Sequence, residues 1–314
     1  MCRRLNSQRP GSVLKYFIDA MDASWRHGAS PENYFVLRFY ELSQSERAKY
    51  LTSGRSKAAD KILNAQADPK ERACLGYKPA FLAAFPELCG RRYIEGKAAE
   101  PDQIAEFLAS HESIIIKPCK GTMGKGVEKL DTKDLDREEF CRRCREEELL
   151  LEELIIQHPA LAALNPSSVN TIRVNSARGK DGRLRTVGAC LKVGAAGSGA
   201  DNFHSGGLAF PVDIESGKIC GPGRDNSSIK DHPLHPGTGE SITGFQIPHW
   251  GECMALVTRA MDALPSLGYV GWDIAVREDR PVLVEGNISW PGGNIIQFDG
   301  KGKYPIIMDC VGEA

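Results

Sequence analysis

No apolar run in the 314 residues is long enough for a signal-peptide core or a membrane span, so the expectation is a cytoplasmic chain with no membrane partner. Charge of one sign is also missing. With 40 basic against 41 acidic residues there is no global field to recruit nucleic acid, although local basic patches remain possible, and small soluble ligands become the default partners. Histidine is scarce at seven, and the ten cysteines form no metal-binding array. Only Cys141 and Cys144 have a metal-like spacing, inside a charged helical pattern with no second pair, which reads as structural thiols in a reducing compartment. His232 and His235 lie in the Pro/Gly-rich stretch 231–238 and read as loop residues. Internal repeats and low-complexity linkers are absent, and no Gly-Lys-Ser/Thr opens a helix, which excludes a Walker A loop.

What is present is a globular composition, 41% apolar and 26% charged, in a chain long enough for two or three lobes. Residues 12–72 read as helices: Val13, Leu14, Phe17, Ile18 and Met21 recur at three- and four-residue spacing, Ser30–Tyr34 looks like a turn with a helix start, and Leu51–Ala67 carries a charged helical pattern. From residue 73 the elements alternate. A helix near Pro79–Phe85 is followed by a strand near Arg92–Ile94, a helix at Pro101–His111, a short buried strand at Ser113–Pro118, a helix at Leu135–Glu147 and a strand at Leu149–Leu151. Beyond residue 156 come longer strands at Asn170–Ser176, Leu184–Val193 and Leu208–Asp213, with a helix at Gly251–Leu264. The fold class expected is α+β, with a helical N-terminal region (1–72), a small lobe (73–155) and a large lobe with a mostly antiparallel sheet (156–314).

The most informative feature is a hairpin, Val270–Val276 returning through Glu278-Asp279-Arg280-Pro281 into Val282–Asn287. Alternation lets Asp273, Glu285 and Asn287 converge, and few hard oxygen ligands with open coordination positions suit Mg²⁺ shared with phosphates. The second feature is Lys117 at the end of a strand, followed by Cys119–Val127 with Lys120, Gly121, Thr122, Gly124, Lys125 and Gly126. Glycines let backbone N–H groups approach phosphate oxygens and lysines neutralise charge, so this segment reads as a phosphate flap that returns as a strand at 127–130. Third, Leu149–Pro159 passes from an apolar strand into Glu152, Glu153, Leu154 and Ile155, and backbone groups at such a strand end can read an adenine edge.

The order of these parts, from Lys78 through the flap and the hinge to Asp273, Glu285 and Asn287, resembles the ATP-grasp superfamily, in which two α+β lobes sandwich ATP. The segments Asn170–Val174, Gly188–Lys192 and Asn202–Gly207 are similar to the ribosomal-protein glutamate ligase type. The helical opening and Gln157-His158-Pro159 are more similar to the sugar-transfer-associated, α-L-glutamate ligase-related group. The resemblance implies that Lys78 reaches the α-phosphate, that Lys117 bridges the α- and β-phosphates, and that Glu152, Glu153, Leu154 and Ile155 form the adenine hinge. It implies one or two Mg²⁺ ions on Asp273, Glu285 and Asn287, with Arg173 near the γ-phosphate and Lys192, Asn202 and His204 lining the same region. Ser289, Gly292 and Gly293 fall where related ligases build an acceptor pocket. Two departures stand out: the N-terminal region is helical rather than Rossmann-like, and the ribose-binding acid after the hinge is missing, leaving Gln157 or His158 to take its place. The chemistry implied is ATP-dependent ligation of a small-molecule or peptide carboxylate to an amine through an acyl phosphate, giving ADP and phosphate. The alternatives are an ATP-grasp kinase acting on a small-molecule hydroxyl and a nucleotide-binding protein without chemistry. The oligomeric state is not legible.

Overall fold

The computed structural model describes residues 1–8, 11–121, 124–133, 135–194, 203, 206–226, 230–235, 237–288 and 292–312. The first part is helical, with Val13–His27, Pro31–Val36 and Ser53–Leu63 as its main helices. The start of Pro31–Val36 is a reciprocal cap. Ser30 Oγ accepts from the Asn33 N–H at 3.1 Å, and Asn33 Oδ1 accepts from the Ser30 N–H at 3.3 Å. Thr52 caps Ser53–Leu63. The expected boundary after residue 72 falls inside a helix, Pro69–Gly76, which begins at an Asp68 cap.

A four-stranded antiparallel sheet follows, with β1 (Tyr93–Glu95), β2 (Ser113–Pro118), β3 (Glu128–Asp131) and β4 (Leu149–Glu153) in the order β1-β4-β2-β3. Helices Pro101–Ala109 and Arg137–Glu146 cover one face and close a core of Ile104, Phe107, Ile114, Ile116, Phe140 and Leu151. The β-branched run in β2 suggests a strand buried on both faces. Instead Ile114 and Ile116 enter this core, while Ile115 and Lys117 project from the other face into a cleft.

The second sheet is five-stranded and antiparallel throughout: β5 (Ile172–Arg178), β6 (Leu184–Val193), β7 (Leu208–Val212), β8 (Tyr269–Val276) and β9 (Pro281–Asn287), in the order β7-β6-β5-β8-β9. Helix Trp250–Asp262 packs its Cys253, Leu256, Val257, Ala260 and Met261 against one face, meeting Ile172, Val174, Leu191, Trp272 and Ile274. The opposite face supplies Ala177, Val187, Cys190, Ala209 and Tyr269 to a core shared with the N-terminal helices and the C-terminal helix Tyr304–Val311. Every residue of β8 is buried, because helices cover both faces of the sheet.

Candidate functional site

The site grows out of one row across the large sheet. Arg173 on β5 lies opposite Asp273 on β8, and Asp273 lies opposite Glu285 on β9. Three charged side chains on adjacent strands are thereby held within reach of each other. Arg173 grips Asp273 with a two-point fork, Nε to Oδ1 at 2.7 Å and Nη2 to Oδ2 at 2.8 Å. Lys192 from β6 adds an ion pair to Asp273 Oδ1 at 3.1 Å. Burial by itself would raise the Asp273 pKa, but Arg173 and Lys192 outweigh it and hold the carboxylate well below its usual range. Glu285 goes the other way: burial first, and then the Asp273 charge, raise its pKa, and it shares a hydrogen bond with Asp273. Asn287 Nδ2 donates to Glu285 Oε1 at 3.3 Å and to the Gly271 carbonyl at 3.5 Å.

Two glycines make the row possible. Gly286 sits between Glu285 and Asn287 and faces Trp272 across the hairpin; a Cβ there would come within 2.8 Å of Leu75 Cδ2 and 2.9 Å of Trp272 Cζ3. Gly292 has φ of +76° and passes so close to Arg173 that a Cβ would lie 2.7 Å from Nη1.

The small sheet faces this row with its own charged cluster. Glu152, 4% exposed, pairs with Lys117 Nζ at 2.8 Å and with Arg91 Nε at 2.9 Å. Burial opposes its ionisation, and the two cations overcome that to lower its pKa. Arg91 continues to the Leu283 and Val284 carbonyls of β9 at 2.6 and 3.2 Å, so one guanidinium joins the two sheets. Lys78 Nζ donates to the carbonyls of Pro118 and Gly121 at 2.9 and 3.0 Å, tying the start of the glycine loop. Burial and the neighbouring Lys117 lower the Lys78 pKa.

Between the sheets lies a cleft of about 540 Å³. Lys78, Lys117, Gly121, Gly124, Lys125, Glu152, Glu153, Ile155, Arg173, Lys192, Asp273, Glu285, Asn287, Gly292 and Gly293 all line it. The sequence reading names each of these. Thr122, Asn202, His204 and Ser289 lie outside the described residues.

Four of the expected residues are arranged differently from the rest. Gln157 is absent from the cleft lining: its Nε2 donates to the Asn165 and Ser168 carbonyls and its Oε1 accepts from Asn170, so it organises a loop. Leu154 is absent from the cleft lining, as is Gly126, whose close neighbour is Pro118. Glu152 is paired to Tyr93 on one side and Ile115 on the other, and it lines the cleft. The residues that follow, Glu153 and Ile155, reach the cleft.

Sequence reasoning misses Arg91, which looks like one of two ordinary surface arginines before a strand. It also misses Glu32, Thr52, Ser53 and Ser56, which close the far end of the cleft from the helical region. No motif marks them; only the capping signals at Ser30 and Thr52 place their helix starts.

Among the described residues no three His, Cys, Asp or Glu side chains cluster as a metal site. The donor set at the row is two carboxylates and one amide. Asp273 and Glu285 face each other across the hairpin with Asn287 hydrogen-bonded to Glu285, and oxygen donors of this kind are chemically suited to a hard cation.

Residues 82–306 match the family described as sugar-transfer associated ATP-grasp. The chain belongs to this family. No curated protein matches it. Among solved structures, the ADP complex of N5-carboxyaminoimidazole synthetase from Staphylococcus aureus aligns over 79% of this chain and 55% of its own, at 10% identity and a TM-score of 0.50. D-alanyl-alanine synthetase A from Vibrio cholerae covers 79% of this chain and 68% of its own, at 11% identity and a TM-score of 0.48. The ATP-grasp ligase PsnB, complexed with minimal precursor, Mg and ADP, covers 94% and 74%, at 18% identity and a TM-score of 0.44. The chain spans about half the length of the carboxyaminoimidazole ribonucleotide synthetases it matches, 45% of one and 55% of another. The two antiparallel sheets and their intervening cleft are thus those of an α+β ATP-grasp fold.

Proposed function

We propose that this ATP-grasp protein is an ATP-dependent ligase that activates a small-molecule or peptide carboxylate as an acyl phosphate and joins it to an amine. The observation that carries the reading is the cleft itself. Lys78, Lys117 and the glycine loop stand on one wall, and the Arg173–Asp273–Glu285 row with Lys192 stands on the other. Phosphoryl transfer needs positioning and charge neutralisation more than covalent help, and these walls supply both. Lys117, held by Glu152, neutralises nucleotide phosphates, while Glu153 and Ile155 border the base. Asp273, Glu285 and Asn287 would hold Mg²⁺, which when bound contributes charge neutralisation at the phosphate oxygens. Arg173 and Lys192 orient Asp273 and place positive charge where the carboxylate attacks the γ-phosphate. Gly121, Gly124 and Lys125, which border the cleft, would help keep water from the activated acid.

The cleft extends past the row to Gly292 and Gly293 and on to Glu32, Ser53 and Ser56. We place the acid and the amine at that end, between the large lobe (156–314) and the helical region (1–72), with ATP toward the small lobe (73–155).

The test is incubation with Mg-ATP, a pool of small acids and peptides, and hydroxylamine, with analysis of nucleotide, phosphate and hydroxamate. ADP, inorganic phosphate and a hydroxamate are expected together. ADP with a stable phosphate ester and no hydroxamate would replace the ligase by a kinase.

A further inference from the structure

Helix Val13–His27 presents its apolar stripe to solvent rather than to the core. Leu14, Phe17, Ile18, Met21 and Trp25 recur at the spacing that ordinarily marks a core-facing helix, yet each is between 55% and 83% exposed. The opposite face holds the helix in place. Asp19 accepts from Arg47 Nη1 and Nη2 at 2.7 and 2.8 Å and from Tyr34 Oη at 2.7 Å, Asp22 accepts from Gln44 at 2.8 Å, and His27 meets Gln44 at 2.7 Å while Ala23 is buried. Rotating the stripe inward would break this polar set. The five side chains leave on the order of 500 Å² of apolar surface in water, at the upper end of what a soluble monomer exposes in one patch.

We propose that this helix docks on an anionic lipid surface, lying in the plane of the interface. The charge around it selects that occupant. Residues 1–18 contain Arg3, Arg4, Arg9 and Lys15 and no acidic residue, in a chain whose total charge is balanced. Arg3, Arg4 and Lys15 are exposed, and the two acids of the helix, Asp19 and Asp22, are already occupied by Arg47 and Arg26. A second copy on the same stripe would bring this positive segment against itself, whereas anionic headgroups neutralise it. Phe17 and Trp25, with Arg26 5.6 Å from the indole centroid, have the aromatic and basic chemistry that suits the headgroup boundary. No described helix is long and apolar enough to cross a membrane, which fits attachment from one side. The proposal is independent of the reaction assigned to the cleft.

Flotation of the full chain with vesicles tests it. With phosphatidylcholine–phosphatidylglycerol vesicles at low salt the protein floats, and on pure phosphatidylcholine the binding is at least about tenfold weaker, since each basic residue near an anionic surface contributes roughly 1 kcal/mol. The double variant Ile18→Glu, Trp25→Glu loses flotation while keeping its thermal midpoint, because both side chains are exposed. Arg3→Glu with Arg4→Glu weakens it about tenfold or more. No flotation, equal flotation on neutral vesicles, or flotation unchanged in the Glu variants would each overturn the proposal. So would a concentration-dependent dimer that Ile18→Glu dissolves in place of vesicle binding, which would assign the stripe to a second copy.

Discussion

Glu285 and Glu152 are both buried carboxyl groups, and their surroundings drive them in opposite directions. Burial and then the neighbouring Asp273 charge raise the Glu285 pKa, and Glu285→Gln keeps the side chain's size and shape, so the variant keeps its fold. Turnover should nevertheless fall by about a hundredfold or more, the scale at which an electrostatic group at a phosphoryl-transfer centre acts, with the thermal midpoint within a few degrees of wild type. Steady-state ADP release and a melting curve check both halves. Glu152 is ionised between Lys117 and Arg91, with a pKa lowered from the ordinary 4.5. A lowered folded-state value means that ionised Glu152 stabilises the fold above the unfolded pKa, and that this contribution is lost as pH falls through the folded one. Glu152→Gln should therefore cost several kcal/mol at pH 7, because two buried cations lose their counter-ion, and the difference from wild type should shrink below about pH 4. Urea midpoints at the two pH values measure this. Which residue holds which was only partly legible from the chain. The Asp–Glu–Asn pattern announced itself through hairpin alternation, but the Arg91–Glu152–Lys117 cluster depends on a pairing of β4 with β2 that no local signal encodes.

Among the elements, the β8–β9 hairpin was the most legible, because polar turn residues separate two runs whose alternation leaves few registers open. Gly286 is the element's structural requirement. Adding one methyl there meets both Trp272 and Leu75, so Gly286→Ala should destabilise by about 1–3 kcal/mol through overpacking and displace Glu285 and Asn287 together. A drop in thermal midpoint together with weaker nucleotide binding is expected, and a fully wild-type profile would mean the strand has slack that the packing does not show. Other elements were legible in kind but not in direction. Val13–His27 was periodic enough to be read as a helix, but its apolar face turned out to point to solvent, since periodicity reveals a stripe and not what the stripe faces. Gln157 follows the hinge in sequence, yet four hydrogen bonds to loop 165–170 take it away from the cleft. Short helices such as Pro86–Cys89 carry too few residues to show a period.

For the whole molecule, the α+β class and the two-sheet architecture followed from the order of motifs along the chain. The way the helical region meets the cleft did not follow from it. Ser53 and Ser56 reach the far end because Ser53–Leu63 packs beside β8 with Ser56 next to Gly293, and Glu32 reaches it from Pro31–Val36, accepting from Asn294 Nδ2 at 3.2 Å. On the proposed function, both sheets are walls of one nucleotide site. Isothermal titration with a non-hydrolysable ATP analogue in Mg²⁺ tests that most directly, comparing wild type, Lys117→Ala and a metal-free titration. One site per chain, weakened at least about tenfold both by the substitution and by removal of the metal, is expected. An affinity indifferent to both would place the nucleotide elsewhere and contradict that reading.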